Sequence, residues 1–198
     1  MLSAKGSSLK IADFESLRFR HPDAEDGFRL NQLVQQSPPL DQNSLYCNLL
    51  QCSHFSSTAV VAELEGELVG FVTAFIPPSD PLTLFVWQIA VADAARGIGL
   101  GKRMMNWLVA TPAVSETRKL STTITSDNHA SNRLFEALAN DWGAILERNL
   151  LFSREKHFAG LHEDEFEVRI SPLPHRSEKI KGQFDTQSNG KASIISLT

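Results

Sequence analysis

The residues with the most to say about chemistry are Arg96-Gly97-Ile98-Gly99-Leu100-Gly101-Lys102, which stand between a strand-like apolar run and a helix-like one. Glycines at a strand-to-helix turn let backbone N–H groups converge on an anion, and the helix N-terminus adds a partial positive charge. A diphosphate is the natural guest of such a turn, although glycines there also serve simple tight packing. Two familiar phosphate motifs do not fit. A Walker A loop needs GxxxxGK[ST]; here Gly97 stands too close to Gly101-Lys102, and Arg103 replaces the Ser or Thr that would hold magnesium. A dinucleotide fingerprint needs GxGxxG after an N-terminal first strand, and this glycine set lies mid-chain with a different spacing.

The stretch Arg96-Gly97-Ile98-Gly99-Leu100-Gly101 does resemble, position by position, the acyl-CoA loop of the GCN5-related N-acetyltransferase (GNAT) superfamily, whose pattern is Arg/Gln-x-x-Gly-x-Gly/Ala. Ile89-Ala90-Val91 resembles the strand that pairs with pantetheine, and Asn128, Ser131, Leu134 and Phe135 resemble the downstream CoA motif. The resemblance runs from Leu17 to Ile170. It implies acetyl-CoA as cosubstrate, held by Ile89, Val91, Arg96, Gly97, Ile98, Gly99, Leu100, Gly101, Lys102, Asn128 and Phe135. It also implies that the Ile89 backbone N–H supports the oxyanion. The segments Pro38 to Cys47, His54-Phe55 and Ile76 to Gln88 are similar to the diaminobutyrate acetyltransferase family, which performs the acetylation step of ectoine biosynthesis. That similarity implies acetyl transfer to the 4-amine of L-2,4-diaminobutanoate by a homodimer. The rival readings are an acetyltransferase for another small amine and a non-catalytic acyl-CoA-binding sensor.

Amine acetylation makes definite demands. A primary alkyl amine has a pKa of about 10.4, so neutralising it at pH 7 costs about 4–5 kcal/mol. A proton acceptor is therefore needed, and the free amine must be held against the thioester. The 2-amine of the substrate is the less basic of the two, so selectivity for the 4-amine must come from positioning. Asp41, after the Pro38-Pro39 break, is the first candidate to hold an ammonium; a solvated loop acid or a helix cap is the plainer alternative. Tyr46, the only tyrosine, is a candidate hydrogen-bond partner or acid, and Trp87 a candidate wall of the site. Glu163, in the run His162 to Glu165, is a candidate amine ligand or proton relay. Catalysis is thus expected from Tyr46, Asp41, Glu163 and Ile89, and substrate binding from Asp41, Tyr46, Trp87 and Glu163. Where many superfamily members carry a tyrosine that protonates the leaving thiolate, this chain has Phe135. The substitute is then Tyr46 or solvent. No covalent intermediate is required, so Cys47 and Cys52 need not react and are expected to be free thiols.

These groups need a scaffold. Leu17 to Arg20 reads as a short strand, and His21-Pro22-Asp23 opens a helix with Asp23 as N-cap and Phe28, Leu30, Leu33 and Val34 as its apolar face. Ser37-Pro38-Pro39 ends it, and a second short helix runs through Tyr46, Leu49 and Leu50. Thr58 to Leu64, Leu68 to Ile76 and Leu82 to Val91 read as strands, and a helix follows the glycine turn. Leu120 to Thr125 is a strand, Asn128 to Ala139 a helix, and Ala144 to Phe152 with Phe166 to Ile170 a final strand pair. The order predicts an α/β fold with a mixed, mostly antiparallel sheet and helices on both faces. Residues 1–16 are expected to form a loose arm, 17–171 the domain and 172–198 a disordered tail.

Composition narrows the classes. A chain of 198 residues with 42% hydrophobic and 21% charged residues suits one globular domain. The net charge of −4 leaves no electrostatic footprint for nucleic acid. No apolar run reaches the ~20 residues of a membrane span, and Met1 to Phe14 lacks the apolar stretch of a signal peptide, so the expected compartment is the cytoplasm. The six scattered histidines form no metal-ligand spacing.

Overall fold

The computed structural model describes residues 16–38 and 40–174. Its strands are β1 Leu17–Arg20, β2 Val60–Leu64, β3 Glu67–Phe75, β4 Thr83–Val91, β5 Lys119–Thr125, β6 Ile145–Phe152 and β7 Glu165–Ser171. They form one sheet in the order β1-β2-β3-β4-β5-β7-β6. Every neighbouring pair is antiparallel except β4–β5. The helices are α1 Asp26–Gln35, α2 Leu45–Ser53, α3 Leu100–Val109, α4 His129–Trp142 and α5 Arg154–Phe158. The α/β class and the mixed, mostly antiparallel sheet are as expected; α5 is an element the sequence pattern did not reveal. Helix α3 lies in the long connection that a parallel pair requires between β4 and β5.

Two apolar layers flank the sheet. On one face Leu100, Met104, Met105 and Leu108 of α3 and Phe135, Leu138 and Ala139 of α4 pack on Val72, Leu84, Val86, Leu120, Ile124, Val168 and Ile170. On the other, Leu30, Leu33 and Val34 of α1 and Cys52 of α2 pack on Val61, Phe71 and Ala90. Helix spacing on the one side and strand alternation on the other produce this match, and each large side chain so buried contributes about 1.5–3 kcal/mol. Cys47 and Cys52 are free thiols, and burial pushes the Cys52 thiol up to about 12.

Three expectations about local structure are corrected. Helix α1 begins at Asp26 with Glu25 in the cap position and no side-chain cap, so Asp23 is not its N-cap. The Asp23 carboxylate instead accepts the Glu25 N–H (2.8 Å), while buried Asp26 takes both Arg20 guanidinium nitrogens at 2.6 and 2.8 Å. Arg20 also reaches Glu63 (2.7 Å), so this charge cluster ties α1 to β1 and β2. Phe28 is 57% exposed rather than part of the apolar face. A Cβ at Gly27 would stand 2.7 Å from Leu49 Cδ2, so α1 meets α2 at Gly27 and Phe28 lies a further 100° round the helix. Finally, Leu173 is buried and its N–H donates to the Arg118 carbonyl (2.8 Å), so the first residues of the expected tail belong to the fold. Residues 1–15 and 175–198, to which most of the expected arm and tail correspond, lie outside the described residues.

Leu108→Ala, in the larger core, should cost about 2–5 kcal/mol in urea denaturation, whereas Phe28→Ala should change stability by no more than about 0.5 kcal/mol.

Candidate active site

Strands β4 and β5 pair over only three residues, Thr83–Phe85 against Lys119–Ser121. One end of this short ladder is pinned. Asp80 accepts the Thr83 hydroxyl (2.8 Å) and holds the Lys119 ammonium (2.9 Å), and the Leu82 carbonyl accepts the Arg118 and Lys119 N–H groups. At the other end the Thr122 hydroxyl donates to the Val86 carbonyl (3.0 Å), and the strands then part. Trp87 marks a bulge, because Thr73 faces Gln88 while Ala74 faces Val86. The extra residue reverses side-chain parity, so Ile89 and Val91 pack on the same face as Leu84 and Val86.

The register also fixes where the backbone of β4 points. The Ala92 N–H donates to the Val69 carbonyl (2.9 Å), which makes that pair hydrogen-bonded. Alternation makes Phe71–Ala90 the next such pair and leaves Gly70–Val91 and Val72–Ile89 as non-bonded ones. The N–H and C=O groups of Ile89 and Val91 are thereby turned away from β3, toward the split.

Two clefts open along it, of about 660 and about 700 Å³, and meet at Leu40, Ile89, Asn128 and Ser131. The first is walled by Val91, Arg96, Gly97, Gly99, Leu100, Gly101, Lys102 and Leu134. Gly97 and Gly99 take positive φ (+80° and +71°), and Gly99 caps α3 without a side chain. The first intrahelical bond runs from the Arg103 N–H to the Gly99 carbonyl, so the N–H groups of Leu100, Gly101 and Lys102 are left for an anion. Gly101 has another purpose: a Cβ there would stand 3.3 Å from Leu134 Cδ2, so its smallness lets α3 approach α4. Leu100 has a buried side chain and offers only backbone, and Ile98 packs on the core instead of lining the cleft. Arg96 and Lys102 each hold a carboxylate, Asp93 at 2.9 Å and Asp141 at 2.6 Å. Asn128 is the N-cap of α4, its side chain accepting the Ser131 N–H at 3.1 Å.

The second cleft is lined by Asp41, Phe75, Phe85, Trp87, Gln88, Thr123, Asp127, Phe135, Arg154, His162, Glu163 and Glu165. Half-exposed Trp87 stands edge-on to Phe75, ring centroids 5.9 Å apart. Asp41, Trp87 and Glu163 are thus brought together around one cleft. Tyr46 is not: it is 70% exposed and lines neither cleft, because α2 turns Asn48, Gln51 and Cys52 inward and Tyr46 lies on the opposite side. Phe135 is buried in the larger core and closes the cleft floor. Glu163 is exposed and pairs with Arg154 at 2.6 Å.

The inner carboxylate is Glu165, which the sequence reading passed over. Its Oε2 is buried without a hydrogen-bond partner. Burial pushes its carboxyl up, Asp41 and Asp127 add to the effect, and a Thr123 hydrogen bond and His162 oppose it. His162 is missed as well. Its Nδ1 donates to the Glu163 carbonyl (3.0 Å) and its Nε2 stands 3.8 Å from Asp41 Oδ1. That hydrogen bond raises its pKa, with Asp41, Glu165 and Glu163 acting the same way. Strand parity was the available signal: Glu165 opens β7, opposite in phase to core residues Val168 and Ile170. The result is an acid-rich cleft with an unpaired carboxylate oxygen, suited to an ammonium group. Among the described residues no group of three or more His, Cys, Asp or Glu side chains could hold a metal ion.

The acetyltransferase (GNAT) family model matches residues 23–139. The L-2,4-diaminobutyric acid acetyltransferase of Methylotuvimicrobium alcaliphilum is 47% identical over 152 residues, covering 77% of this chain and 88% of that protein. The enzyme of the same name from Vibrio cholerae is 43% identical over the same share of each. Among solved structures, the diaminobutyrate acetyltransferase EctA of Paenibacillus lautus, in complex with its substrate L-2,4-diaminobutyric acid and coenzyme A, superposes with a TM-score of 0.76 at 38% identity. It covers 79% of this chain and 95% of its own.

The raised Glu165 carboxyl has a stability signature. A carboxyl whose folded pKa lies above its unfolded one stabilises the fold at low pH and loses that contribution as pH rises through the folded value. At neutral pH the ionised group is therefore a burden that glutamine lacks. Glu165→Gln should melt higher than the parent near pH 7.5, with the difference shrinking toward about pH 4, where both side chains are neutral. A lower melting temperature at neutral pH would mean that the carboxylate is paired rather than exposed to a desolvated cleft.

Proposed function

This chain belongs to the acetyltransferase (GNAT) family and, within it, to the L-2,4-diaminobutyric acid acetyltransferases, and we propose that it transfers acetyl from acetyl-CoA to the 4-amine of L-2,4-diaminobutanoate, giving 4-acetamido-2-aminobutanoate in ectoine biosynthesis. The observation that carries this reading is the meeting of two clefts at Ile89, one with an anion-binding helix N-terminus and one with desolvated acid.

The roles follow from the geometry. N–H groups at Leu100, Gly101 and Lys102 bind the diphosphate, and the open edge of β4 at Ile89 and Val91 pairs with pantetheine. The Ile89 N–H stabilises the oxyanion as the amine nitrogen adds to the thioester carbon. Asp41 and Trp87 orient the diamine. Glu165 takes the proton that the ammonium must lose, and its raised carboxyl narrows the gap in acidity between donor and acceptor. The nitrogen of the tetrahedral adduct sheds its second proton to water, and the C–S bond then breaks to release the thiolate. Phe135 offers no proton and Tyr46 faces solvent, which supports water as the source of the thiolate's proton.

A homodimer is part of the proposal. Strand β6 is an edge strand with Ile145, Leu150, Leu151 and Phe152 exposed, and Leu161 is exposed as well. Apolar side chains on an open edge favour a second copy as cover. The proposed compartment is the cytoplasm; among the described residues no helix is long and apolar enough to cross a membrane.

With acetyl-CoA, CoA release should be efficient for L-2,4-diaminobutanoate and well below it for ornithine, lysine and 2,3-diaminopropanoate, with NMR showing acetyl on the 4-nitrogen. Glu165→Gln should lose about 10²-fold or more in kcat/KM for the amine. Acetyl-CoA binding without turnover of any amine would favour a sensor instead. Sedimentation should give twice the monomer mass, and Leu151→Glu should shift it toward the monomer.

A further inference from the structure

Four side-chain amides run in series from α1 to β4. Gln35 Nε2 donates to Asn31 Oδ1 (3.1 Å), Asn31 Nδ2 to the Asn43 carbonyl (3.2 Å), Asn43 Nδ2 to Gln88 Oε1 (3.1 Å), and Gln88 Nε2 to the Asp41 carbonyl (2.9 Å). Asn31 and Gln88 are only 7% and 6% exposed. A buried amide is costly unless it is hydrogen-bonded, and each of these is.

Their effect falls on residues 41–43, between the Ser37-Pro38 break and α2. The Asp41 carboxylate is 83% exposed; His162 stands 3.8 Å from it, and Glu165 is near enough to feel its charge. Its side chain therefore does little to fix its own position. The main chain does, through Gln88. Gln88 lies between Trp87, the bulge residue, and Ile89, whose backbone faces the acyl cleft. One strand segment thus sets both the acyl position and the distance from it to Asp41.

We propose that the Gln88–Asn43 pair is a positioning device that fixes the Asp41 loop at a set distance from Ile89 and so selects the length of the diamine. This rests on reading the two clefts as acyl and amine sites. Gln88 itself lines the amine cleft, but its amide is engaged by Asn43 and the Asp41 carbonyl; Asn43 does not line the cleft. The pair holds the loop, and loosening it relaxes discrimination between diamines that differ by one carbon.

Gln88→Met removes both hydrogen bonds at similar volume, and Asn43→Ala, the milder variant, leaves the Gln88–Asp41 tie. Both are assayed at saturating acetyl-CoA once thermal melts show that they are folded. For Gln88→Met, KM for diaminobutanoate should rise about tenfold with kcat within about threefold, and the preference over ornithine should fall about tenfold. KM for acetyl-CoA should stay unchanged, and the double variant should be no worse than Gln88→Met alone, as expected of residues acting through one contact. An equal loss for all amines, a raised KM for acetyl-CoA, or strictly additive effects would overturn the proposal. If the parent enzyme prefers another diamine, the functional reading fails separately, and the same ratio is taken between that diamine and its homologue one carbon longer.

Discussion

A parallel pair of strands cannot stay hydrogen-bonded once one of them bends away, and everything in this molecule follows from how early that happens between β4 and β5. Three residue pairs hold, anchored by Asp80, Lys119 and the Leu82 carbonyl, and the Thr122 hydroxyl finishes the ladder. Past that point the Trp87 bulge re-aims β4, so the backbone groups of Ile89 and Val91 have no strand partner there, and the Val91 carbonyl accepts Arg96 Nε at 3.4 Å. Unpaired backbone polar groups are costly when buried. Leaving them at the wall of a cleft is tolerable because solvent, or a ligand with an amide of its own, satisfies them.

The charge distribution works against stability at the same place. Several acids have a cationic partner: Asp26 and Glu63 with Arg20, Asp80 with Lys119, and, on the wall of the second cleft itself, Glu163 with Arg154. Inside the second cleft Glu165 has an oxygen without a partner, and exposed Asp41 adds its negative charge beside it, with His162 3.8 Å from Asp41. A site meant to receive a cation holds its acids short of compensation until the cation arrives. The neutral amides around Gln88 supply rigidity there without adding charge.

Much of this was legible in the sequence. The glycine turn is encoded by residue type and spacing, since positive φ at Gly97 and Gly99 and close packing at Gly101 each exclude most side chains. The strand spans follow from apolar runs and turn residues, whereas the placing of β7 between β5 and β6 carries no signal in either. Glu165 was hidden because telling it from Glu163 requires knowing where β7 begins, and an acidic run does not mark that boundary. Tyr46 was named as the only tyrosine; that α2 turns Asn48, Gln51 and Cys52 inward and leaves Tyr46 on its outer side could not be read from a helix of such mixed polarity. Phe28 failed in a similar way: contact between α1 and α2 is set by a glycine, which carries no hydrophobic signal.

The two clefts share Leu40, Ile89, Asn128 and Ser131 as a common wall. Whatever occupies one of them becomes part of the surface that the other presents. Thermodynamic linkage then makes the influence reciprocal: the first occupant alters the affinity of the second by the same factor that the second would alter the first. The affinity that either cleft shows is therefore set in part by whether the other is filled.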